Sequence, residues 1–421
     1  MKIADVVRML SIEAPPLHFR AYDGSSYGDE NSAITLTLLN ERGLRYLATA
    51  PGDLGLARAY VSGDLNLSGA HPGDPYDALR TLGTWRFRRP SVREAAQLIR
   101  ALGWREFIPP EPPSQETLPR WRRTVEGMRH SRARDAAAIG HHYDVSNAFY
   151  EKVLGPSMAY TCAVYTKATA SLEEAQEEKF DLVARKLALE PGMKLLDVGC
   201  GWGGMAMHAA KHYGAEVMAV TLSKEQAEWA QQAVARHGLT GQVTVLHSDY
   251  RDAPGSNYDA VSSIGLTEHI GVKNYGSYFT FLRDKLRDGG RLLNHCITRP
   301  DNLSNPLPGQ FIDRYIFPDG ELTGAGRIIT EAQNVGFEVR HTEDLREHYA
   351  LTLKGWCENL VRHWDECVAD VGEPTARIWG LYMAGSRLGF ETNGIQLHQV
   401  LAVKPAADGN ASFPLRPTWG S

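Results

Sequence analysis

The sequence of 421 residues contains few cysteines, and their spacing fits no metal site. Its five cysteines include no CxxC pair and no metal-ligand spacing, so we predict no bound metal. No run of 18 apolar residues is present, which argues against a membrane-spanning helix. The N-terminus carries an acid at Asp5 and has no long apolar region, so we expect no secretory signal and reduced thiols in the cytoplasm.

Lysine is absent from residues 80–134, although this segment is the most basic part of the chain. It holds 13 Arg against five Glu, a local charge of +8 in a chain whose net charge is -5. The overall negative charge argues against bulk nucleic-acid binding. The basic segment fits either arginine-rich surface helices with local ion pairs or a patch that faces an anionic bilayer.

Length and proline distribution indicate more than one domain. A chain of 421 residues suggests two or three domains, and the proline-rich segment 109–119 disfavours both helix and central strand. We predict an N-terminal domain over 1–108, a basic linker over 109–134 and a large C-terminal domain over 135–421. Within the first, we predict strands at 34–40 and 45–50 and a helix at 90–104.

From residue 172 onward, apolar runs alternate with helical stretches. Because these runs are almost continuously apolar, they predict a parallel sheet covered by helices on both faces, and therefore an α/β fold. We expect a late strand over 394–405, antiparallel at the sheet edge. The predicted parallel strands are 194–199, 216–222, 242–248, 259–265 and 291–297.

A glycine-rich turn follows the first of these strands. Glycines stand at 199, 201, 203 and 204, with Asp197 two residues before the first. Such a turn lets the backbone approach a ligand. The pattern Asp197-x-Gly199-x-Gly201 resembles the first motif of S-adenosylmethionine methyltransferases. A nicotinamide dinucleotide is one alternative ligand, but the second strand ends in Thr221-Leu222-Ser223 without the acid expected for its ribose. A purely structural turn is the other alternative.

Motifs on both sides of the turn resemble those of one known family. With the turn, they resemble the cyclopropane fatty-acyl-phospholipid synthase family over about residues 120–405; this family includes mycolic acid cyclopropane synthases and enzymes that make 10-methylene or 10-methyl fatty acids. The motifs are HHYDVSNAFY (141–150), MAYTCA (158–163), VTLSKEQ (220–226), SDYRD (248–252), GLTEHIGVKNY (265–275), HCI (295–297), DRYIFPDGEL (313–322) and HYALTLKGW (348–356).

The resemblance implies a fold, a cosubstrate and a site. The fold is a seven-stranded Rossmann-like sheet of the S-adenosylmethionine (SAM) methyltransferases, with a smaller α+β N-terminal domain that associates with lipid. Implied SAM-binding residues are Tyr143, Tyr160, Thr161, Asp197, Gly199, Gly201, Thr221, Leu222, Gln226, and, near the adenine, Tyr250 and Arg251. An implied bicarbonate ion is held by Cys162, Glu268, His295, the backbone around Ile297, and Tyr349.

The positions of two of these residues support the assignment of the site independently of the resemblance. Glu268 and His295 follow the fourth and fifth predicted strands, and ligands of open α/β sheets bind along that carboxyl edge. Taken alone, His295 fits a core histidine, and Cys162 fits a small buried hydrophobic residue. Glu268 is the best single candidate.

The implied reaction begins when a double bond of an acyl chain attacks the methyl group of SAM. Bicarbonate, positioned by Glu268 and His295 with Tyr349 hydrogen-bonded to it, then deprotonates the carbocation, giving a cyclopropane or a 10-methylene chain. Cys162 is interpreted as an anion contact. Cyclopropane synthases usually carry an aromatic residue immediately before the glutamate, whereas this chain has Thr267, which we expect near the acyl chain and which keeps the methylene product open.

The implied partner is a phospholipid with an unsaturated acyl chain. We expect peripheral contact with the inner face of the cell membrane in a bacterium, through Trp85–Arg89 and Arg120–Arg123, and no nucleic acid. A homodimer and, for a methylene product, a reductase are further expected partners. Two alternatives remain: a SAM-dependent C-methyltransferase for a soluble small molecule, and a non-catalytic lipid- or nucleic-acid-binding module.

Overall fold

Strands and helices alternate from residue 194 onward, as the apolar runs predict. The computed structural model describes residues 1–117, 145–305 and 307–419. Its strands are β1 (His18–Ala21), β2 (Ser26–Tyr27), β3 (Thr35–Leu38), β4 (Leu65–Ser68), β5 (Lys194–Val198), β6 (Glu216–Thr221), β7 (Val243–His247), β8 (Tyr258–Ile264), β9 (Leu286–Thr298), β10 (Glu338–Asp344) and β11 (Gln396–Val403).

The helices of the described residues follow the same order. They are α1 (Ile3–Leu10), α2 (Glu41–Thr49), α3 (Asp53–Val61), α4 (Tyr76–Thr84), α5 (Val92–Leu102), α6 (Asn147–Leu154), α7 (Leu172–Leu187), α8 (Gly204–Tyr213), α9 (Lys224–Arg236), α10 (Thr267–Ile270), α11 (Tyr275–Lys285), α12 (Ala325–Asn334), α13 (Arg346–Arg362), α14 (Trp364–Val371) and α15 (Glu373–Glu391). In the described parts of the chain, no helix is both long and apolar enough to cross a membrane.

The larger sheet has seven strands in the order β10-β11-β9-β8-β5-β6-β7. Strands β5 to β9 are parallel, and β11 pairs antiparallel with both β9 and β10. The α/β prediction is therefore confirmed. The prediction of β11 as the edge strand is wrong: β10 forms that edge. Its sequence EVRHTED is polar and only partly buried, so it gave no apolar run to detect.

Both faces of this sheet are buried, which explains the continuous apolar runs. Leu195 packs in one hydrophobic cluster with Val183 of α7 and Ala206 of α8. The next residue, Leu196, points to the opposite face and packs in a second cluster with Phe279 of α11. Since successive strand residues alternate between faces, every position of β5 except its first is covered.

The N-terminal residues form a smaller sheet in the order β2-β1-β3-β4, with β1 and β3 parallel. The predicted strand at 45–50 is wrong, because α2 covers these residues up to Thr49. The side chain of Asn40 caps this helix by accepting from the Gly43 amide at 3.0 Å, which favours helix over strand. The predicted helix at 90–104 is confirmed as α5, which begins with a capping box of Ser91 and Glu94.

Trp85 lies inside this N-terminal region rather than on its surface. It is buried and its indole Nε1 donates to Ser11 Oγ at 3.1 Å. The expectation that Trp85 itself meets a membrane is therefore wrong, because its ring is used in the core. Its neighbour Phe87 is half exposed. The other half of the predicted membrane contact, Arg120–Arg123, lies outside the described residues.

The described residues divide into two compact units. The first unit contains residues 1–117 together with Gly309–Ile316 and Leu353–Leu388. The second unit contains the other described residues, from Val145 onward. These units do not follow the predicted boundaries, because two late segments belong with the N-terminal residues. The functional division into 1–108, 109–134 and 135–421 stays a prediction.

Candidate active site

The glycine-rich turn joins β5 to α8 at the carboxyl edge of the larger sheet. Gly199, Gly201 and Gly203 have φ values of 73°, 54° and 81°, a left-handed conformation that residues with a Cβ rarely adopt. The amides of Gly199 and Cys200 both donate to the carbonyl of Val220, at 2.9 and 3.0 Å. The turn is thereby fixed against β6 and leaves its outer side open to a ligand.

A cleft of about 930 Å³, including its solvent-filled mouth, opens beside this turn. Most residues predicted to bind SAM line it, and they come from the ends of several strands. Arg251 does not, and instead donates from Nε to Asp249 Oδ1 at 2.7 Å. Tyr143 lies outside the described residues, so its part of the prediction is not tested. The predicted residues that line the cleft are Tyr160, Thr161, Asp197, Gly199, Gly201, Thr221, Leu222, Gln226 and Tyr250.

Two polar side chains of the cleft have atoms available for a ligand. Asp197 accepts from Ser262 Oγ at 2.6 Å through Oδ1, while its Oδ2 has no hydrogen-bond partner in the described parts of the chain. Gln226 accepts from Thr221 Oγ1 at 2.8 Å, and its Nε2 is likewise unpartnered there. A buried acceptor and a buried donor fit the amino and carboxylate groups at the methionine end of SAM.

Lys179 is a cleft residue that the sequence analysis missed. It is almost fully buried, and its ammonium donates to Thr161 Oγ1 at 2.9 Å. Burial lowers the pKa of Lys179 to about 7, and the nearby carboxylate of Asp197 opposes this shift only in part. The signal was available: Lys179 falls at helical spacing from the buried Ala175 and Val183, on the apolar face of α7.

Glu268 lies in α10, immediately beyond the carboxyl end of β8. Its Oε1 accepts from the backbone amide of Ile297 at 2.6 Å, whereas Oε2 has no partner among the residues described. Burial raises the pKa of Glu268 from 4.5 to about 7, and the Ile297 hydrogen bond only partly opposes this shift. A carboxyl group with such a pKa can hold or release a proton near neutral pH.

His295 lies on the adjacent strand β9 and is fully buried. Its Nδ1 is 3.2 Å from Nε2 of Gln399, and its own Nε2 has no partner within the described ranges. Burial, with the charges of Lys179 and Lys186, lowers the pKa of His295 well below its usual value. The site therefore contains a neutral imidazole in β9 and, just past the end of the neighbouring strand β8, a carboxyl oxygen without a partner among the described residues.

Cys162 and Tyr349 are connected through one carbonyl. The Sγ of Cys162 is 3.7 Å from the carbonyl oxygen of Leu345, which also accepts from the amide of Tyr349 at 3.1 Å. Burial raises the pKa of the Cys162 thiol above its usual range, so this side chain is a thiol rather than a thiolate. The ring of Tyr349 packs 4.5 Å from that of Phe390.

The position before Glu268 does not face the cleft. Thr267 is buried and its hydroxyl donates to Asn294 Oδ1 at 2.6 Å. Asn294 in turn donates to Cys296 Sγ at 3.2 Å. On this side the cleft is lined by Leu266 and His269. The expectation that Thr267 lies near the acyl chain stays a prediction.

Comparisons with known proteins agree with this geometry. The sequence model of the family described as mycolic acid cyclopropane synthetase matches residues 130–400. The chain is 61% identical to a probable fatty acid methyltransferase of Mycobacterium tuberculosis, over 96% of this chain and 95% of the relative. It is 36% identical to the cyclopropane-fatty-acyl-phospholipid synthase of Escherichia coli K12, over 64% and 68% of the two chains.

A solved structure is similar in both sequence and fold. The mycolic acid cyclopropane synthase CmaA1, in complex with SAH and CTAB, superposes with a TM-score of 0.60 at 33% identity. The match covers 63% of this chain and 97% of the solved one.

Proposed function

Because the chain belongs to the mycolic acid cyclopropane synthetase family, we propose that it transfers a methyl carbon from SAM to the double bond of an unsaturated acyl chain in a phospholipid. This activity is that of a SAM-dependent fatty acid methyltransferase of the cyclopropane synthase type. Further proposals concern the base that removes the proton, the product, and the contact with a membrane.

One observation carries the proposal: two buried polar atoms have no partner among the described residues, one just past the end of β8 and the other in the neighbouring strand β9. They are Oε2 of Glu268 and Nε2 of His295, at the same sheet edge as the cleft. Buried polar groups normally have hydrogen-bond partners, and the exceptions in the described residues call for a ligand. A small oxyanion that accepts from His295 and shares a proton with Glu268 satisfies both, so these residues fit bicarbonate.

Each residue of the site has a proposed task. SAM supplies an electrophilic methyl group, and bound bicarbonate supplies a mobile base. Asp197 and Gln226 orient the methionine end of SAM, while the glycine turn lets it approach β5. Glu268 holds or receives the proton that leaves the substrate, and Cys162 and Tyr349 complete the wall of the anion site.

The proposed product is either a cyclopropane or a 10-methylene chain. Both arise from the same methyl transfer and end with loss of a proton from the new methyl group. The ring forms when this proton leaves directly, whereas a 1,2-hydride shift that first moves the cation to the methyl-bearing carbon gives the methylene chain. A methylene product would be the substrate of a separate reductase, which would give the methyl-branched chain.

The test is incubation of the protein with SAM and vesicles of oleoyl phospholipid, followed by mass spectrometry of the released acyl chains. We expect a gain of one CH₂ per modified chain, and fragmentation distinguishes the ring from the branch. Methylation of soluble acceptors without any change in the vesicle lipids would support the small-molecule alternative instead. Absence of SAM binding in calorimetry would refute the proposal that the protein is a SAM-dependent enzyme.

We also propose that the surface of α5 makes the peripheral contact with an anionic membrane. Val92 and Ile99 are exposed one above the other on this helix, and Trp104 is 65% exposed just beyond it. Arg93 and Arg100 are exposed beside them, so apolar side chains and cations share one surface, as interfacial helices require. This contact would place the protein at the inner face of the cell membrane.

Binding to vesicles tests this surface. We expect co-sedimentation with vesicles rich in anionic phospholipid, falling steeply as salt is raised because exposed charges are screened. The variant Trp104→Ala should bind less than the wild type, and a matched change of Trp229, which lies in α9, should not. Equal binding of both variants, or binding independent of salt, would contradict the proposal.

The expected homodimer is not tested by these observations and stays a prediction.

A further inference from the structure

Three side chains form a row across three antiparallel strands of the larger sheet. Glu343 on β10 is the register partner of Gln399 on β11, and Gln399 is the register partner of His295 on β9. Residues directly opposite each other in antiparallel strands project from the same face. The row therefore runs from a partly exposed carboxylate to the buried imidazole of the active site.

Lys186 of α7 lies over this row and is itself fully buried. Its ammonium donates to Gln399 Oε1 at 2.7 Å and to Glu343 Oε2. The carboxylate of Glu343 offsets the positive charge, so the ammonium has the paired partner that a buried charge needs. The lysine is thereby anchored and presents a fixed donor to the glutamine.

The lysine determines how the Gln399 amide is oriented. An ammonium group has donors only, so the amide oxygen must face Lys186. The amide nitrogen then faces Nδ1 of His295, 3.2 Å away. Since the NH₂ group can only donate, Nδ1 must accept, and in a neutral imidazole the ring proton then lies on Nε2.

We propose that Lys186 and Gln399 are positioning residues that hold His295 in its Nε2–H tautomer and make it a hydrogen-bond donor toward an anion in the active site. The proposal rests on the proposed function only in placing the anion there. His295 is fully buried and its Nε2 has no partner among the described residues. The proton is therefore available for an acceptor such as a small oxyanion.

The arrangement assigns different tasks to the two candidate residues. His295, whose pKa is lowered by burial, remains a neutral donor. Glu268, whose pKa is raised, is left as the group that exchanges a proton. Because the tautomer is set by residues that do not line the cleft, the orientation can be changed without changing the SAM site.

The first test is nitrogen NMR of wild-type protein labelled with ¹⁵N-histidine, in which His295 is assigned by comparison with a His295→Asn variant. We expect a pyrrole-type shift for Nε2 and a pyridine-type shift for Nδ1. The opposite assignment, or a ring that is doubly protonated at neutral pH, would overturn the proposal. This measurement requires neither enzymatic activity nor a variant of Lys186 or Gln399.

The second test is Gln399→Glu, which replaces the amide with a carboxylate, so that an acceptor faces both Lys186 and His295. The carboxylate accepts from Lys186 and requires a donor at Nδ1, so we expect the tautomer to reverse and kcat on oleoyl-phospholipid vesicles to fall by about 10- to 100-fold. SAM affinity should not change. The matched control is Gln396→Glu, on the same strand but three positions away and therefore on the opposite face, which should leave both tautomer and kcat unchanged.

A third variant covers the case in which Gln399→Glu fails to fold. Lys186→Met removes the donor that orients the amide, so we expect a mixed tautomer and an intermediate loss of kcat. If folded variants keep both the wild-type tautomer and the wild-type kcat, the proposal is wrong. If the tautomers respond as expected but wild-type protein modifies no lipid, the proposed function fails and the tautomer assignment stands.

Discussion

Two buried glutamates, one in each compact unit, have opposite surroundings. Glu116 belongs to the N-terminal unit, and its side chain is fully buried. Its oxygens accept from Arg58 Nε and Nη2, both at 2.6 Å, and from the hydroxyl of Tyr315 at 3.1 Å, and it also pairs with Arg314. Glu268 receives one backbone amide, from Ile297, and one of its oxygens has no partner among the described residues.

The difference shows that a buried glutamate can serve either of two purposes, depending on its partners. A carboxylate surrounded by two guanidinium groups is stabilised as an ion and holds segments together. A carboxyl group buried without a cation has a raised pKa and is ready to exchange a proton. We therefore assign Glu116 to structure and Glu268 to chemistry, and the following changes test that assignment.

The largest expected effect is that of Glu268→Gln on turnover. The amide can still accept from Ile297, but it cannot take up a proton, so we expect kcat to fall by about 100- to 10,000-fold, the contribution of a positioned acid or base. The measurement is modification of oleoyl-phospholipid vesicles, with SAM affinity followed by calorimetry. Glu228→Gln, on the surface of α9, is the control. Wild-type turnover by Glu268→Gln would exclude Glu268 from the proton transfer.

The next effect is that of Glu116→Gln on stability. Arg58 and Arg314 would face an amide instead of a carboxylate, and breaking such a buried ion pair costs about 3–5 kcal/mol. We expect a lower urea midpoint by far-UV circular dichroism. Glu373→Gln removes a pair with Arg377 in which Glu373 is 52% exposed, and it should cost less than about 1 kcal/mol. Equal midpoints for the two variants would contradict a structural role for Glu116.

A third effect is a pH-dependent difference between wild type and Glu268→Gln. The pKa of Glu268 rises from 4.5 in the unfolded chain to about 7 in the folded one, so the folded state binds the proton more tightly. Wild-type stability should therefore fall as pH rises through this window, by roughly 3 kcal/mol in total. Glu268→Gln should lack this fall. Parallel stability curves between pH 5 and 8 would show that Glu268 does not titrate in this range.

The smallest effect should come from Cys162→Ala, a buried group that carries no charge. Because burial keeps Cys162 as a thiol, we expect it to contact the anion site without acting as a nucleophile. The fall in kcat should be less than about 10-fold, since only a weak donor is lost. A loss comparable with that of Glu268→Gln would instead indicate covalent catalysis by Cys162.

The sequence predicted most of the larger sheet and the cofactor side of the site. The apolar runs located β5 to β9, and the glycines after β5 located the cleft, because both signals are local in the chain. The missed elements have weak local signals. Strand β10 is polar, α2 replaced a predicted strand, and the buried Lys186 looks like a surface residue in a charged helix.

The sequence by itself determined that Glu268 follows one parallel strand and that His295 lies near the carboxyl end of the next one along the chain, since the α/β pattern brings these ends to one sheet edge. Only the tertiary structure decided which hydrogen-bond partners these residues receive. The register of β9, β10 and β11 places Gln399 between His295 and Glu343, and α7 brings Lys186 over that row. These contacts join residues more than 100 positions apart, so their chemistry depends on packing that no local pattern encodes.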